Sequence, residues 1–256
     1  PKGKSMQTSD LQTYLDLILE SSRIKDYCPN GLQVEGRPEI KKVVGGVTAS
    51  QALLDAAIAV KADAILVHHG YFWRGEQEAI TGIKKNRLQT LLRNDLNLFA
   101  YHLPLDIHPE FGNNVQLAKQ LGFKVVGGLE PENPRSVGLY GELSNEMTVA
   151  ELSAKISHVL GWECIFVADP DKVIKTIAWC TGAAQSMIDK AIDLGVDVYL
   201  SGEISEPTVH IARETGIAYF SAGHHATERY GVKALGSHLA EKFDLEFEFI
   251  DIDNPV

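Results

Sequence analysis

Three short stretches of this chain carry residues able to bind metal. Val67-His68-His69-Gly70 places two adjacent histidines where the apolar run Ala64-Ile65-Leu66-Val67 stops at a glycine. Gly223-His224-His225-Ala226-Thr227-Glu228 sets a histidine and a glutamate four residues apart. On a helix beginning near His224 the two share a face and can chelate one ion or serve two adjacent ones, whereas His225 points about 100° away. His102-Leu103-Pro104-Leu105-Asp106 closes a third apolar run; Pro104 stiffens it, Asp106 can supply a carboxylate, and His102 can ligate or orient a ligand. Neutral imidazole offers a lone pair at physiological pH, and imidazole mixed with carboxylate suits borderline divalent ions such as Zn, Mn, Fe or Co. Three histidines with two carboxylates exceed the needs of one open catalytic ion and suit two. Paired ions about 3.5–4 Å apart lower the pKa of a shared water and orient a hydrolytic attack, one carboxylate bridging them. His108, past the turn, is expected to be solvated; His158, His210 and His238 fall on helical stretches and are expected to be surface or packing groups.

These stretches must be held at strand ends. Lys42–Val47, Ala64–Val67 and Leu96–Tyr101 read as strands; a helix capped by Thr48 or Ser50 runs through Leu53, Leu54, Ala57 and Ile58, and helical spacing also spans 86–94. The unit is β-α-β, which favours parallel pairing, and ligands bind beyond the carboxyl ends of such strands. Adjacent strand residues face opposite ways, so His68 and His69 share a site only if the backbone leaves the strand, which Gly70 permits. An earlier helix, capped by Thr8 or Ser9, carries Leu11, Tyr14, Leu15, Ile18 and Leu19, and a Pro29-Asn30-Gly31 turn leads into a short strand. Asn113–Leu121 is a helix closed by Gly122. Residues 123–146, rich in Gly, Pro and Glu, read as a join with a short strand at 137–143. Beyond it, helices are expected at 149–160, 184–194, 209–215 and 227–241, and strands at 165–167, 175–180, 197–200, 217–221 and 246–250.

Gln51–Leu66 can be laid on Gln185–Leu200 without a gap, matching Gln51 with Gln185, Asp55 with Asp189, Asp63 with Asp197 and Leu66 with Leu200. Thr48 then meets Thr181 if one residue is inserted, His69 falls on Glu203, and the strand ending at His102 corresponds to the one ending at His224. The chain is therefore expected to hold two copies of one α/β unit, with a site in the cleft between them.

After the histidine pair come Tyr71, Phe72, Trp73 and Arg74. They can wall a substrate pocket and stack on a flat ligand, or at least two of the aromatics can pin the loop to the core. With 256 residues, 45% hydrophobic and 23% charged, the chain is long enough for one large or two small α/β domains with a real core. A net charge of −10 excludes non-specific duplex binding, which needs a basic surface, but not a small nucleotide, since bound metal supplies local positive charge. Three scattered cysteines, Cys28, Cys164 and Cys180, form no CxxC pair and read as reduced packing groups. No run approaches ~18 consecutive apolar residues and no apolar signal core opens the chain, so a cytoplasmic protein without a membrane span is expected. The opening Pro1–Ser5 is small and polar and carries no weight for the fold.

Asp26-Tyr27, Asn30-Gly31-Leu32-Gln33-Val34, the VHHG stretch with its aromatic tail, His102–Asp106 and Gly223–Glu228 together resemble the Nif-like family of dinuclear metal proteins, often labelled GTP cyclohydrolase I type 2 homologues. The likeness spans nearly the whole chain and is nearest the short bacterial form, which lacks an inserted central domain. It implies two intertwined α/β lobes, here 7–127 and 128–256, with His68, His69 and Asp106 from the first and His224 and Glu228 from the second holding two divalent ions (Zn, Fe or Mn). It also implies a toroidal homohexamer, a trimer of dimers, and ring opening of a nucleotide or related heterocycle by metal-activated water. The catalytic base is unassigned; His102 and Glu203 are the candidates. No GxxxxGK[ST] loop is present, so phosphates would fall to metals and to side chains such as Arg74. The competing expectation is a non-catalytic, metal-binding hexameric scaffold or regulatory protein. A redox di-iron protein fits less well, since such sites draw carboxylate-rich ligands from helical bundles.

Overall fold

The computed structural model describes residues 3–256; of the opening Pro1–Ser5 stretch, Pro1 and Lys2 lie outside the described residues. In chain order the elements are Met6–Gln7 (β1), Thr8–Ile18 (α1), Gly31–Val34 (β2), Glu39–Ile40 (β3), Lys42–Thr48 (β4), Gln51–Ala59 (α2), Ala64–His69 (β5), Gly82–Arg93 (α3) and Asn97–Ala100 (β6). Then come Leu103–Ile107 (α4), Asn113–Leu121 (α5), Lys124–Gly128 (β7), Leu139–Thr148 (β8), Val149–Leu160 (α6), Ile165–Val167 (β9) and Val173–Cys180 (β10). Ile188–Leu194 (α7), Val198–Ser201 (β11), Glu206–Thr215 (α8), Ala218–Ser221 (β12), His224–Thr227 (α9), Tyr230–Phe243 (α10) and Glu246–Phe249 (β13) complete the α/β chain. It divides into two compact units: the described chain as far as Leu105 together with Gly231–Asp253, and Asp106–Tyr230 with Asn254–Val256.

The first unit is a five-stranded sheet in the order β13-β4-β5-β6-β2, parallel except for the antiparallel edge β2; β1 and β3 form a separate antiparallel pair. Leu53, Leu54 and Ala57 of α2 and Leu88 and Leu91 of α3 bury against Val44, Ile65, Val67 and Leu98. Ser50 caps α2 by accepting from Leu53 N. Thr8 is not a cap: Gln7 holds that place without a side-chain bond, and Thr8 Oγ1 donates to Arg37 O.

The second unit is a six-stranded sheet in the order β7-β8-β10-β11-β12-β9, with β10, β11 and β12 parallel and the flanking pairs antiparallel. Strand alternation sends Ile177, Trp179, Leu200 and Phe220 toward Leu152, Ile156 and Leu160 of α6. Ala178, Cys180, Tyr199 and Tyr219 face Ile188 and Ala191 of α7. Both faces are covered, so these strands are apolar throughout.

Two expectations need correction. The Gly, Pro and Glu-rich stretch is not merely a join: β7 and β8 pair antiparallel inside the second sheet, a long-range pairing that local composition does not signal. The single helix expected at 227–241 is interrupted at Glu228–Arg229, between α9 and α10. Among the described residues no helix is long and apolar enough to cross a membrane.

Candidate metal centre

In the first unit His68 is buried, and its Nδ1 donates to Tyr101 O at 3.0 Å. That bond fixes the neutral tautomer with the lone pair on Nε2. His69 Nδ1 lies 3.0 Å from Thr48 Oγ1. The backbone does not leave the strand at this pair, contrary to expectation: Thr48 lies opposite His69 in the ladder, and Ala49 N donates to His69 O at 2.9 Å. The rings still come within 4.7 Å between centroids, at 41°, at a twisted strand end. Gly70 serves close packing, since a Cβ there would stand 2.2 Å from Gln33 Oε1.

His102 joins them. Donor atoms of His68, His69 and His102 lie within 4.8 Å of one another. His102 Nδ1 meets Asp26 Oδ1 at 2.7 Å, and its backbone N donates to Asn30 Oδ1 at 2.7 Å. Asp26 also accepts from Leu103 N at 2.8 Å, Asn30 Nδ2 at 3.0 Å and Tyr27 N at 2.6 Å. Burial works to raise the Asp26 pKa, but the bonds from His102, Asn30 and Leu103 outweigh it and hold the carboxyl at about 2. Cys28 also lies within 4.8 Å of Asp26 and His102, but burial and the Asp26 charge push its thiol up to about 12. A thiol so placed stays protonated at neutral pH, in keeping with a packing role.

The four residues after Gly70 divide by role. Tyr71 is buried with its hydroxyl donating to Ala49 O at 2.7 Å, and Gln33 grips both its N and its O. Phe72 packs against the core beneath Lys84. Trp73 is half-buried and stands edge-on to His102 at 4.9 Å. Arg74 is exposed.

In the second unit Asp106 is buried, its Oδ1 accepting from Asn113 Nδ2 at 2.9 Å and Thr181 Oγ1 at 3.3 Å. Carboxylate oxygens of Asp106 and Glu228 lie within 4.8 Å of each other. His224 and Glu228 fall on one side of α9 and its end, as their spacing predicts, with Nε2 3.1 Å from Oε2. His224 Nδ1 meets Glu203 Oε1 at 2.6 Å. Burial pulls the His224 pKa down, but Glu228 and Glu203 raise it to about 9 in the metal-free chain. His225 is half-buried and its N donates to Val256 O, and it belongs to none of the donor groups. His108 is likewise not free in solvent: its Nδ1 accepts from Glu110 N and Phe111 N.

Gly182 makes room for this second set. Its φ is +77°, and a Cβ would stand 2.3 Å from Glu228 Oε1 and 3.3 Å from His224 Nε2. The donor chemistry fits divalent metal in both units: three imidazoles in one, two carboxylates and an imidazole in the other, each imidazole with Nδ1 already engaged. Asp26, Thr48, Asn113 and Thr181, which engage those donors, are assigned no role at the site by sequence reasoning; Thr48 is read there only as a candidate helix cap. Asp26 enters the sequence reading only through the family resemblance; for the others there was no signal.

Residues 6–255 match the protein family Duf34/NIF3 (NGG1p interacting factor 3). The chain is 59% identical over 247 residues to a Pseudomonas aeruginosa protein named GTP cyclohydrolase 1 type 2 homolog, covering 96% of this chain and 98% of that one. It is 51% identical over 251 residues to the protein of the same name from Escherichia coli, covering 98% and 100%. Among solved structures, one described as protein ybgI of unknown function superposes with a TM-score of 0.94 at 50% identity, over 98% of this chain and 100% of that one. A protein from Thermus thermophilus gives 0.88 at 30% identity over the same shares.

Proposed function

Because the chain belongs to the Duf34/NIF3 family and carries two sets of oriented donors, we propose that it is a dinuclear divalent-metal-dependent hydrolase acting on a nucleotide or related heterocycle. The proposed ligands are His68, His69, Asp106, His224 and Glu228, for two ions of Zn, Fe or Mn. One observation carries the reading: each imidazole in these groups has Nδ1 held by a hydrogen-bonding partner, which leaves Nε2 as the ligand atom. Bound metal would supply a water of lowered pKa and charge stabilisation for a hydrolytic attack.

The chain's own groups do the rest. Asn113 and Thr181 hold Asp106 in one rotamer, and Glu203 holds His224. Asp26 keeps the His102 proton on Nδ1, so Nε2 is the atom that accepts or returns a proton. His102 is the proposed proton carrier, and Glu203 orients His224. Of the residues after Gly70, Trp73 and Arg74 are the proposed substrate contacts, with Tyr71 and Phe72 bracing them. A cytoplasmic homohexamer, a trimer of dimers, is the proposed assembly.

Elemental analysis of the untagged protein tests the reading. About two divalent ions per chain are expected, falling sharply in His68→Ala combined with Glu228→Gln. A folded wild type that takes up none of Zn, Mn or Fe removes the proposal. Two ions and an intact hexamer without turnover of nucleotides, phosphoesters or peptides would leave the scaffold reading, which the relatives' name "homolog" also accommodates.

A further inference from the structure

Residue 26 ties two separate things together. Its carboxylate grips His102, while its backbone carbonyl accepts from Arg74 Nη2 at 3.1 Å. Arg74 N donates to Tyr27 O at 2.6 Å, and the guanidinium carbon sits 5.8 Å from the Tyr27 ring centroid. Tyr27 and Trp73 both abut the His102 ring, at 6.4 Å and 4.9 Å between centroids. Trp73 also lies 6.1 Å from His69.

Two features mark this as a surface made for a ligand. Tyr27 stands 58% exposed with its ring beside His102 and the Arg74 guanidinium, so a broad aromatic face is open next to a cation. Phe72, next to Trp73, holds φ at +63°, a conformation that costs a bulky residue free energy and persists only where surroundings impose it. Here the surroundings are the Gln33 clamp on Tyr71 and the Arg74–Tyr27 bond, so the loop is braced with Trp73 outward. Arg74 is exposed and commits one side-chain N–H, to a carbonyl; no described carboxylate forms an ion pair with it. A guanidinium held in a fixed plane presents its remaining donors as a fork that matches phosphate or carboxylate.

We propose that Tyr27, Trp73 and Arg74, gathered around His102, form a recognition subsite for a planar heteroaromatic anion. The plane rests on the Trp73 and Tyr27 rings, and the anionic group is held by Arg74. The subsite names the substrate class of the function proposed above and rests on that reading for its role.

The test uses chelator-treated full-length protein carrying Trp162→Phe, which leaves half-buried Trp73 as the solvent-accessible reporter because Trp179 is fully buried. Tryptophan fluorescence is titrated with AMP and with nicotinate, which separate a nucleotide source from a free heteroaromatic acid. Ribose 5-phosphate and adenosine serve as anion-only and plane-only controls. Saturable quenching by AMP or nicotinate, at least tenfold tighter than either control, is expected. Arg74→Ala should weaken it about tenfold or more, Arg74→Lys less, and Tyr27→Ala severalfold, with unchanged melting temperatures. Absence of quenching by both probes in folded protein overturns the subsite, as does equal binding of ribose 5-phosphate. A Tyr27→Ala variant that binds no probe less well but assembles differently also overturns it, making the patch a contact between copies. Failure here with two ions still bound leaves the metal hydrolase standing; loss of metal uptake alone leaves the subsite standing.

Discussion

In one unit Val43, Ala64 and Asn97 stand side by side in three parallel strands; in the other Ile177, Val198 and Ala218 do. The match extends to the loops. Asp63 Oδ2 accepts from Lys41 N and Lys42 N at 2.8 and 2.9 Å, and its carbonyl accepts from Asn97 N. Asp197 Oδ2 accepts from Lys175 N and Thr176 N at 2.8 and 3.0 Å, and its carbonyl accepts from Ala218 N. At the other end of the same strands the likeness stops. Position by position, His68-His69 in the first unit stand where Gly202-Glu203 stand in the second. His69 offers a donor atom held by Thr48, whereas Glu203 holds the donor His224. The first ladder runs on to Thr48 opposite His69, whereas the second stops at Cys180 opposite Ser201. On the proposed ligand assignment, similar strand ladders carry two different divisions of labour between ligand and orienting group.

The largest test of that contrast is Gly182→Ala. The new Cβ must enter a left-handed backbone position and meet Glu228 Oε1 at 2.3 Å. Backbone strain and overpacking together should cost about 3 kcal/mol in denaturant unfolding, with loss of metal uptake. Full uptake with a shift below about 0.5 kcal/mol would mean that the second unit's donors tolerate repacking and that the glycine is not what makes room for them.

The shared feature predicts a shared effect. Removing the charge with Asp63→Asn or Asp197→Asn should each cost about 2 kcal/mol, since two backbone N–H groups lose a charged acceptor. Burial raises the Asp197 pKa, but the Thr176 and Lys175 bonds outweigh it and hold the carboxyl below its usual value. Its stabilisation is therefore complete above about pH 4, the unfolded value, and is lost as pH falls through the lower folded value. Urea midpoints of wild type should drop across that window, and the drop should be shallower in Asp197→Asn. Equal slopes in wild type and Asp197→Asn would mean that the Asp197 carboxylate carries none of this pH dependence.

How much of this was legible depended on range. Asn113–Leu121 and Val149–Leu160 were readable to the residue because Gly122 and Gly161 end them in left-handed conformation and Thr148 with Glu151 forms a capping box, all local signals. Lys124–Gly128 was not readable as a strand, because its identity comes from pairing with Leu139–Glu142 rather than from Lys-Val-Val-Gly-Gly. The donors were legible by residue type at strand ends. Their orienting partners were not: Asp26 reaches His102 and Thr181 reaches Asp106 across long stretches of chain, and neither type nor spacing marks such a pairing.

The smallest expected effect separates ligand from orienting group most directly. Glu203→Gln keeps the shape of the side chain but removes the second of the two carboxylate charges, after Glu228, that make His224 more basic. Metal affinity, read by competition with a chelator, should fall about tenfold, the lower end for partners of a ligating histidine. Thr48→Val removes a neutral partner from His69, whose ring is also confined by Trp73 and His102, and should cost severalfold at most. Neither substitution should move unfolding by more than about 1 kcal/mol, because each deletes a single hydrogen bond at a site that is not fully buried. If Glu203→Gln instead abolishes one ion outright, Glu203 is itself a ligand. The position would then carry a donor in both units, and the division of labour between them would disappear.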